Sequence, residues 1–389
     1  MKLLHLLVDD KFVDMAIREF EAVAPGQHDW VVLGGRKPFK HVKDARVRCL
    51  DQEAFSRAVI CSNVRGVICH VMTPAHLGAL AAVPVDTQVV WIGWGYDYYG
   101  LLNDAFSDGL LLPETALLAA RLAAPAPDAA ARAPVPTVLS HARPYRRPGM
   151  RELGALARVD IFSPVIDTEY HLVRRHASGF GARYLRWNYG TAEDDFMLPC
   201  GLPSTPGRNL LVGNSATLTN NHVELFDRIR RHADIDGRMV VVPLSYGDPT
   251  YRDYILKAGK ALFGAAFVPL VDFMPKDRYI ELLGSCGHVM MNHVRQQGLG
   301  NLVISGLLGA KLHLNRRNPL YRWLGSQGIA VSDVERPDFA PLSPASCDEQ
   351  VSALQLGFGR DVQRARTRAL VDAALAPRLA PHGVPISSD

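Results

Sequence analysis

The segment Asn292-His293-Val294-Arg295-Gln296-Gln297-Gly298-Leu299-Gly300-Asn301 gathers groups suited to binding an anion between two apolar stretches. An arginine at a strand end can meet a diphosphate with a fork of charge-assisted hydrogen bonds and stabilise the charge that builds on a leaving group. Gly298 and Gly300 would let the backbone and the next helix N-terminus close on the same diphosphate. A solvated loop whose amides and arginine cap neighbouring elements would use the same residue types. Polar crowding between two hydrophobic elements is nevertheless costly unless something binds there.

Two more turns have a related character. Gly213-Asn214-Ser215, with Thr217, Thr219 and Asn220 after it, lies between an apolar run and a helical stretch. Such a turn suits a phosphate, although an N-cap cluster would explain it equally well. Ser245-Tyr246-Gly247 follows a second apolar run and offers a cradle with an aromatic surface. In the first half, Trp94, Tyr96 and Asp97 sit in WIGWGYDYY, where rings beside a carboxylate fit a sugar: ring faces pack on C–H surfaces and the carboxylate orients or deprotonates a hydroxyl. An aromatic core corner capped by Asp97 is the alternative. His70, at another strand end, is a further candidate base, with Asp9, Asp10 and Asp167 behind it. Asp97, His70 and Arg295 are thus the catalytic candidates. Asp234 and Asp236 have metal-clamp spacing but follow a surface helix, so a metal-independent site is expected, with Arg295 and helix dipoles in the cation's place.

Parallel βαβ units are what would bring these turns to one edge. Apolar runs at Leu3–Val8, Trp30–Leu33, Arg65–His70 and Val89–Ile92 alternate with helical patterns, as do later runs at Leu210–Val212, Met239–Pro243, Ala266–Pro269, His288–Met291 and Lys311–Leu314. Ligands in such sheets sit at the carboxyl ends of the strands. A Pro/Gly/Ser break at Pro199–Asn209 divides the chain. The expected organisation is a Rossmann-like domain over 1–200, a second one over 201–345, and C-terminal helices and tail over 346–389 that pack back on the first.

A chain of 389 residues with 48% hydrophobic composition can bury two such cores. A net charge of +4, from 43 basic and 39 acidic residues, gives no case for nucleic-acid binding. No apolar run reaches the ~20 residues of a spanning helix. Asp9 and Asp10 cut off the MKLLHLLV start before a signal h-region develops. The six cysteines lack zinc or disulfide spacing. An Ala/Pro-rich stretch over 121–139 is followed by Arg143, Arg146, Arg147, Arg151 and Arg158, with Arg174, Arg175, Arg183 and Arg186 beyond, a solvated surface or a face for anionic lipid headgroups. No strand-bounded GxGxxG with a ribose-binding acid is present, which disfavours a nicotinamide dehydrogenase.

LLVGNS before a helix, VVVPLSYG, and RQQGLGNL with LNRRNPLY resemble the transferases that move 4-acetamido-4,6-dideoxygalactose (Fuc4NAc) from a thymidine diphosphate donor in enterobacterial common antigen assembly, glycosyltransferase family 56. The resemblance is dense over roughly 210–330 and patchy before it. It implies an α/β GT-B fold of two Rossmann-like domains facing a cleft, a peripheral enzyme on the cytoplasmic face of the inner membrane, and an undecaprenyl-pyrophosphate-linked or other surface-polysaccharide acceptor. It implies donor binding by the 201–345 domain and acceptor binding by the 1–200 domain, and it places Gly213, Asn214, Ser215, Ser245, Tyr246, Arg295, Gln296, Gln297, Gly298 and Gly300 on the donor side and His70 and Asp97 on the acceptor side. Gly247, Asn292 and Asn301 join the donor-side candidates, and Trp94 and Tyr96 the acceptor-side ones, from their positions in the same turns. Where related enzymes hold the ribose with a glutamate, the comparable position is near Ser305, a loss that thymidine's deoxyribose tolerates. A nucleotide-sugar epimerase or hydrolase of the same fold, and a non-catalytic membrane-associated assembly factor, are the competing expectations.

Overall fold

A computed structural model describes residues 2–61, 64–106, 109–123, 154–177, 179–197, 207–232, 235 and 237–378. The chain divides into two units: 1–102 with 147–190 and 361–389, and 103–146 with 191–360.

The first unit holds a seven-stranded sheet of β1 (Lys2–Leu7), β2 (His28–Leu33), β3 (Arg48–Leu50), β4 (Val64–His70), β5 (Gln88–Ile92), β6 (Ile161–Ser163) and β7 (Arg183–Tyr184). Their order is β3-β2-β1-β4-β5-β6-β7, every pairing parallel. Parallel strands are covered on both faces, which is why β1, β4 and β5 read as nearly unbroken apolar runs. Phe20 and Ile17 of the helix Val13–Val23 pack there on Leu3, Trp30 and Ile68, and Leu370, Val371 and Ala374 of the helix Arg360–Leu375 join the same core. Gly66 is required by that packing, since a Cβ would lie 2.5 Å from the Ala374 carbonyl oxygen.

The second unit holds β8 (Asn209–Val212), β9 (Val240–Pro243), β10 (Phe267–Leu270), β11 (Cys286–Met291), β12 (Lys311–Leu314) and β13 (Val331–Asp333), ordered β10-β9-β8-β11-β12-β13 and again parallel. Leu225, Phe226 and Ile229 of the helix His222–His232 and Tyr251, Ile255 and Phe263 of the helix Pro249–Phe263 cover one part of this sheet.

Two boundaries differ from expectation. The helix Pro113–Ala123, expected with the first domain, lies in the second unit, where Leu118 and Ala119 enter its core and Glu224 accepts hydrogen bonds from the Thr115 N–H at 2.9 Å and hydroxyl at 2.6 Å. The C-terminal helical stretch is broken at Gly359 into Pro344–Phe358, in the second unit, and Arg360–Leu375, nearly all in the first. The linker expected over 199–209 and the 121–139 segment lie largely outside the described residues, as do Arg143, Arg146, Arg147, Arg151, Asp234 and Asp236.

Candidate functional site

In a doubly wound sheet the strand order reverses between the first strand and its crossover neighbour, and the carboxyl ends there form a natural binding position. In the first unit that point lies between β1 and β4. His70, the last residue of β4, is fully buried, and both ring nitrogens are engaged: Nε2 with His5 Nδ1 at 2.9 Å and Nδ1 with the Tyr189 hydroxyl at 2.7 Å. Burial holds it neutral, with its pKa lowered to about 3, and neighbouring His76 and His28 act in the same direction. Neither nitrogen is placed to take a proton directly from a substrate hydroxyl, which corrects the base expected from its strand-end position.

Asp97 is also a builder of the site. Its carboxylate accepts from the Met72 N–H at 2.9 Å, the Trp91 indole at 2.8 Å and the Trp94 N–H at 2.8 Å, tying the ends of β4 and β5 together. Burial raises its pKa, against those hydrogen bonds. Between His70 and Met72, Val71 has φ 72, a strained value for a β-branched residue, and its carbonyl oxygen lies 2.8 Å from His76 Nδ1. The aromatic string splits by role. Tyr98 and Tyr99 are buried with their hydroxyls on Glu169, whereas Tyr96 is 46% exposed and Trp94 partly so. Phe12 and Tyr189 join Trp94, with the three ring centroids 5.4 to 5.6 Å apart. Asp9 is structural: burial pushes its carboxyl up, but the N–H groups of Lys40, His41 and Val42 outweigh this and leave it lowered. Asp10 accepts from the Phe12 N–H, and Asp167 begins the helix Asp167–His176 with one buried carboxylate oxygen unpartnered.

In the second unit the reversal lies between β8 and β11, and the three polar turns meet there. Gln297 donates from Nε2 to Asn214 Oδ1 at 3.0 Å and to Thr217 Oγ1 at 3.2 Å, and accepts from the Thr219 hydroxyl at 2.8 Å. His293 Nε2 lies 3.0 Å from Asn214 Oδ1 and 2.9 Å from Asn220 Oδ1; two carbonyl acceptors there put its proton on Nε2. Burial, then Arg295 and His222, keep this ring neutral. Asn220 also reaches Ser215 and Thr217. Asn221, at φ 50, donates to the Asn292 carbonyl, and Asn315 donates to Asn292 Oδ1 at 2.9 Å. Gly213 is required at φ 67, where a Cβ would come within 2.4 Å of His222 Nε2. Gly247 lies so close to Ala216 that a Cβ would meet its carbonyl oxygen at 2.3 Å.

The thirteen donor-side residues expected from the sequence therefore divide. Asn214, Ser215, Asn292, Gln296 and Gln297 are buried within or beside this network, and Gly213 is consumed by packing. Ser245, Tyr246, Gly247, Arg295, Gly298, Gly300 and Asn301 lie on the accessible rim. Tyr246, 50% exposed, receives a 3.0 Å hydrogen bond from Asn214 Nδ2. The Arg295 guanidinium donates to the Gln296 carbonyl at 2.9 Å and is partly exposed. Gly298, at φ 73, caps the helix Leu299–Leu307, whose first N–H groups have no intrahelical partners. A Cβ at Gly300 would meet nothing within 4 Å. Ser305 is fully buried inside that helix, so it is not a ribose contact. Among the described residues, no three His, Cys, Asp or Glu side chains converge to hold a metal ion.

His5, His28, Tyr189 and Phe12 in the first unit, and Asn221 and His222 in the second, carry structure around these rims without having been singled out by motif, and His293 lies in the singled-out 292–301 segment without having been given a role. An imidazole inside an apolar strand, as in LLHLL, is the signal that could have found His5.

Residues 192–337 match the family model described as 4-alpha-L-fucosyltransferase, glycosyl transferase group 56, which bears out the resemblance over the segment that holds the whole second-unit site. Solved structures share the fold at low identity. Sucrose-phosphate synthase from Thermosynechococcus elongatus has TM-score 0.63 and 11% identity, covering 96% of this chain and 99% of that one. An alpha,alpha-trehalose 6-phosphate synthase from Burkholderia multivorans has TM-score 0.57 and 11% identity, covering 96% and 97%. Anabaena HepE, in complex with UDP and glucose, has TM-score 0.54 and 10% identity, covering 96% and 95%. With its GT-B fold and the group 56 match over its second unit, the chain is a glycosyltransferase.

Proposed function

We propose that the enzyme moves a 4-acetamido-4,6-dideoxyhexose from a dTDP-sugar to a lipid-linked glycan. The observation that carries this reading is the second-unit rim, where Arg295, the free N–H groups of the helix Leu299–Leu307 and the open side of Gly300 lie together within the group 56 segment. As an acceptor hydroxyl oxygen bonds to the anomeric carbon, the bond from that carbon to the diphosphate oxygen breaks, its electron pair passes to the diphosphate, and the hydroxyl proton is released to solvent. Arg295 and the helix N-terminus stabilise that charge without a metal. Asn214, Gln297 and His293 keep the loops in place, and Tyr246 with Ser245 borders the nucleoside.

The first unit takes the acceptor on Trp94 and Tyr96, with Asp97 and His70 as builders of that surface. An undecaprenyl-pyrophosphate-linked acceptor at the cytoplasmic face of the inner membrane is consistent with the exposed Arg174, Arg175 and Arg183 of this unit. No described helix is long and apolar enough to cross a membrane. The test is dTDP release from dTDP-4-acetamido-4,6-dideoxygalactose by the full chain, with and without a lipid-linked acceptor in anionic vesicles and with and without EDTA. Acceptor-dependent, EDTA-resistant release supports the proposal. Equal release without acceptor, or use of UDP-sugars in preference, overturns it.

A further inference from the structure

Three buried histidines of the first unit form a line. Beyond His70 and His5, His5 Nε2 lies 3.0 Å from His28 Nδ1, and His28 Nε2 lies 3.1 Å from the Phe20 carbonyl oxygen. At the other end the Tyr189 hydroxyl, 2.7 Å from His70 Nδ1, accepts a 2.8 Å hydrogen bond from the Trp94 indole. The line is enclosed by aromatic rings: His5 lies against Trp30 with centroids 3.9 Å apart, and Phe20 and Trp187 stand edge-on around it.

Its direction follows from its ends. A carbonyl only accepts, so His28 carries its proton on Nε2 and offers Nδ1 as an acceptor. His5 must then donate from Nε2 and accept at Nδ1, and His70 must do the same. His70 Nδ1 is left to accept from Tyr189, whose oxygen meanwhile accepts from Trp94, a group that can only donate. Burial holds all three rings below the ordinary histidine range, so each carries one proton. His76 and Trp187 face His70, while Asp97, Asp10 and Tyr96 are the titratable groups beside Tyr189. The chain ends on a carbonyl that cannot take up a proton, so a proton entering at Tyr189 would leave a buried imidazolium with no route onward.

We infer that His5, His28 and His70 are positioning residues that turn the Tyr189 hydroxyl hydrogen inward, so that its oxygen stands as a hydrogen-bond acceptor beside the Phe12 and Trp94 rings, for a hydroxyl of a sugar ring stacked there. This rests on the first unit being the acceptor side. The histidines then hold the sugar's partner in place and do not deprotonate the sugar.

The full chain and its Tyr189→Phe variant, labelled with ¹⁵N-histidine and ¹⁵N-tryptophan, test the relay without any ligand. Expected are three neutral Nε2–H rings, unchanged between pH 5.5 and 8.5, and a shifted Trp94 indole signal in Tyr189→Phe. An Nδ1–H ring, or titration of any of the three within that range, overturns it. In the transfer assay above, Tyr189→Phe is expected to raise the acceptor KM ~tenfold, the loss of about one hydrogen bond, without moving the pH dependence of kcat. A moved pH limb would mean that the chain carries protons. If wild type transfers no sugar, the functional proposal fails while the tautomers still decide the relay.

Discussion

At the reversal point of the first sheet the buried polar groups are imidazoles in a line; at that of the second they are amides and hydroxyls in a mesh around one imidazole. Each link of the line has one donor and one acceptor, so one proton arrangement satisfies it. In the mesh, Gln297 and Asn220 each reach several partners, so losing one link leaves others. The line fixes the direction of one hydroxyl on an aromatic surface. The mesh holds three loops rigid so that an arginine and a helix N-terminus can face a diphosphate. The same strand arrangement thus supports two kinds of recognition, and the buried partners distinguish them.

The units agree in one respect, and it sets the largest expected effect. Among the described residues each holds four buried neutral histidines: His5, His28, His70 and His76 in the first, and His222, His288, His293 and His313 in the second. Burial lowers all eight, to about 3 for His70, His222 and His313 and about 4 for His288. Below pH 6.5 the unfolded chain binds protons that the folded chain refuses, so stability is full above that pH and falls as acid is added. Each of the four rings brought to about 3 or 4 costs about 1.4 kcal/mol at pH 5.5, against a total of ~5–15 kcal/mol. Urea titrations between pH 7.5 and 5.0 should show a loss of several kcal/mol, with both units affected. Flat stability over that range would contradict the neutral assignments.

Breaking the donor rim comes next. Arg295→Ala should slow transfer by ~10²-fold or more, in line with the loss of one preorganised charge-stabilising donor, while leaving the urea midpoint nearly unchanged. A third experiment sharpens the contrast between the Asp97 hub of the first rim and the mesh of the second. Asp97→Ala strands three N–H donors at the first rim and should destabilise by about 3 kcal/mol, whereas Gln297→Ala, in the redundant mesh, should cost about 1–2 kcal/mol. Equal costs would show the mesh to be no more redundant than the Asp97 hub. The smallest structural effect belongs to Gly300→Ala. Its Cβ would meet open space, so stability should hold or rise by less than about 1 kcal/mol, and any loss of nucleotide affinity reports a ligand at that surface.

Much of the architecture was legible because parallel strands buried on both faces leave apolar runs. β1, β2, β4, β5 and β8 to β12 correspond to runs in the sequence within a few residues. β3, β6, β7 and β13 span only two or three residues each and leave no run to find. The rim residues were legible as well, because Arg295 and the glycines are local signals. Which polar residues of a motif face inward is decided by partners far away in sequence: Gln297 is buried through contacts with Asn214 and Thr217, and His70 through His5 and Tyr189. A motif names its residues together, whereas packing separates the rim from its supports. The placement of the helix Pro113–Ala123 was hidden for the same reason, since its hold on Glu224 spans 109 residues.

The most direct test of the account is calorimetric titration of the full chain and of Arg295→Ala with dTDP, UDP and GDP. dTDP is expected to bind most tightly, and Arg295→Ala to weaken that binding at least about tenfold, the cost of about one charge-assisted hydrogen bond. Equal or tighter binding of UDP or GDP, or dTDP affinity unchanged in Arg295→Ala, would contradict it.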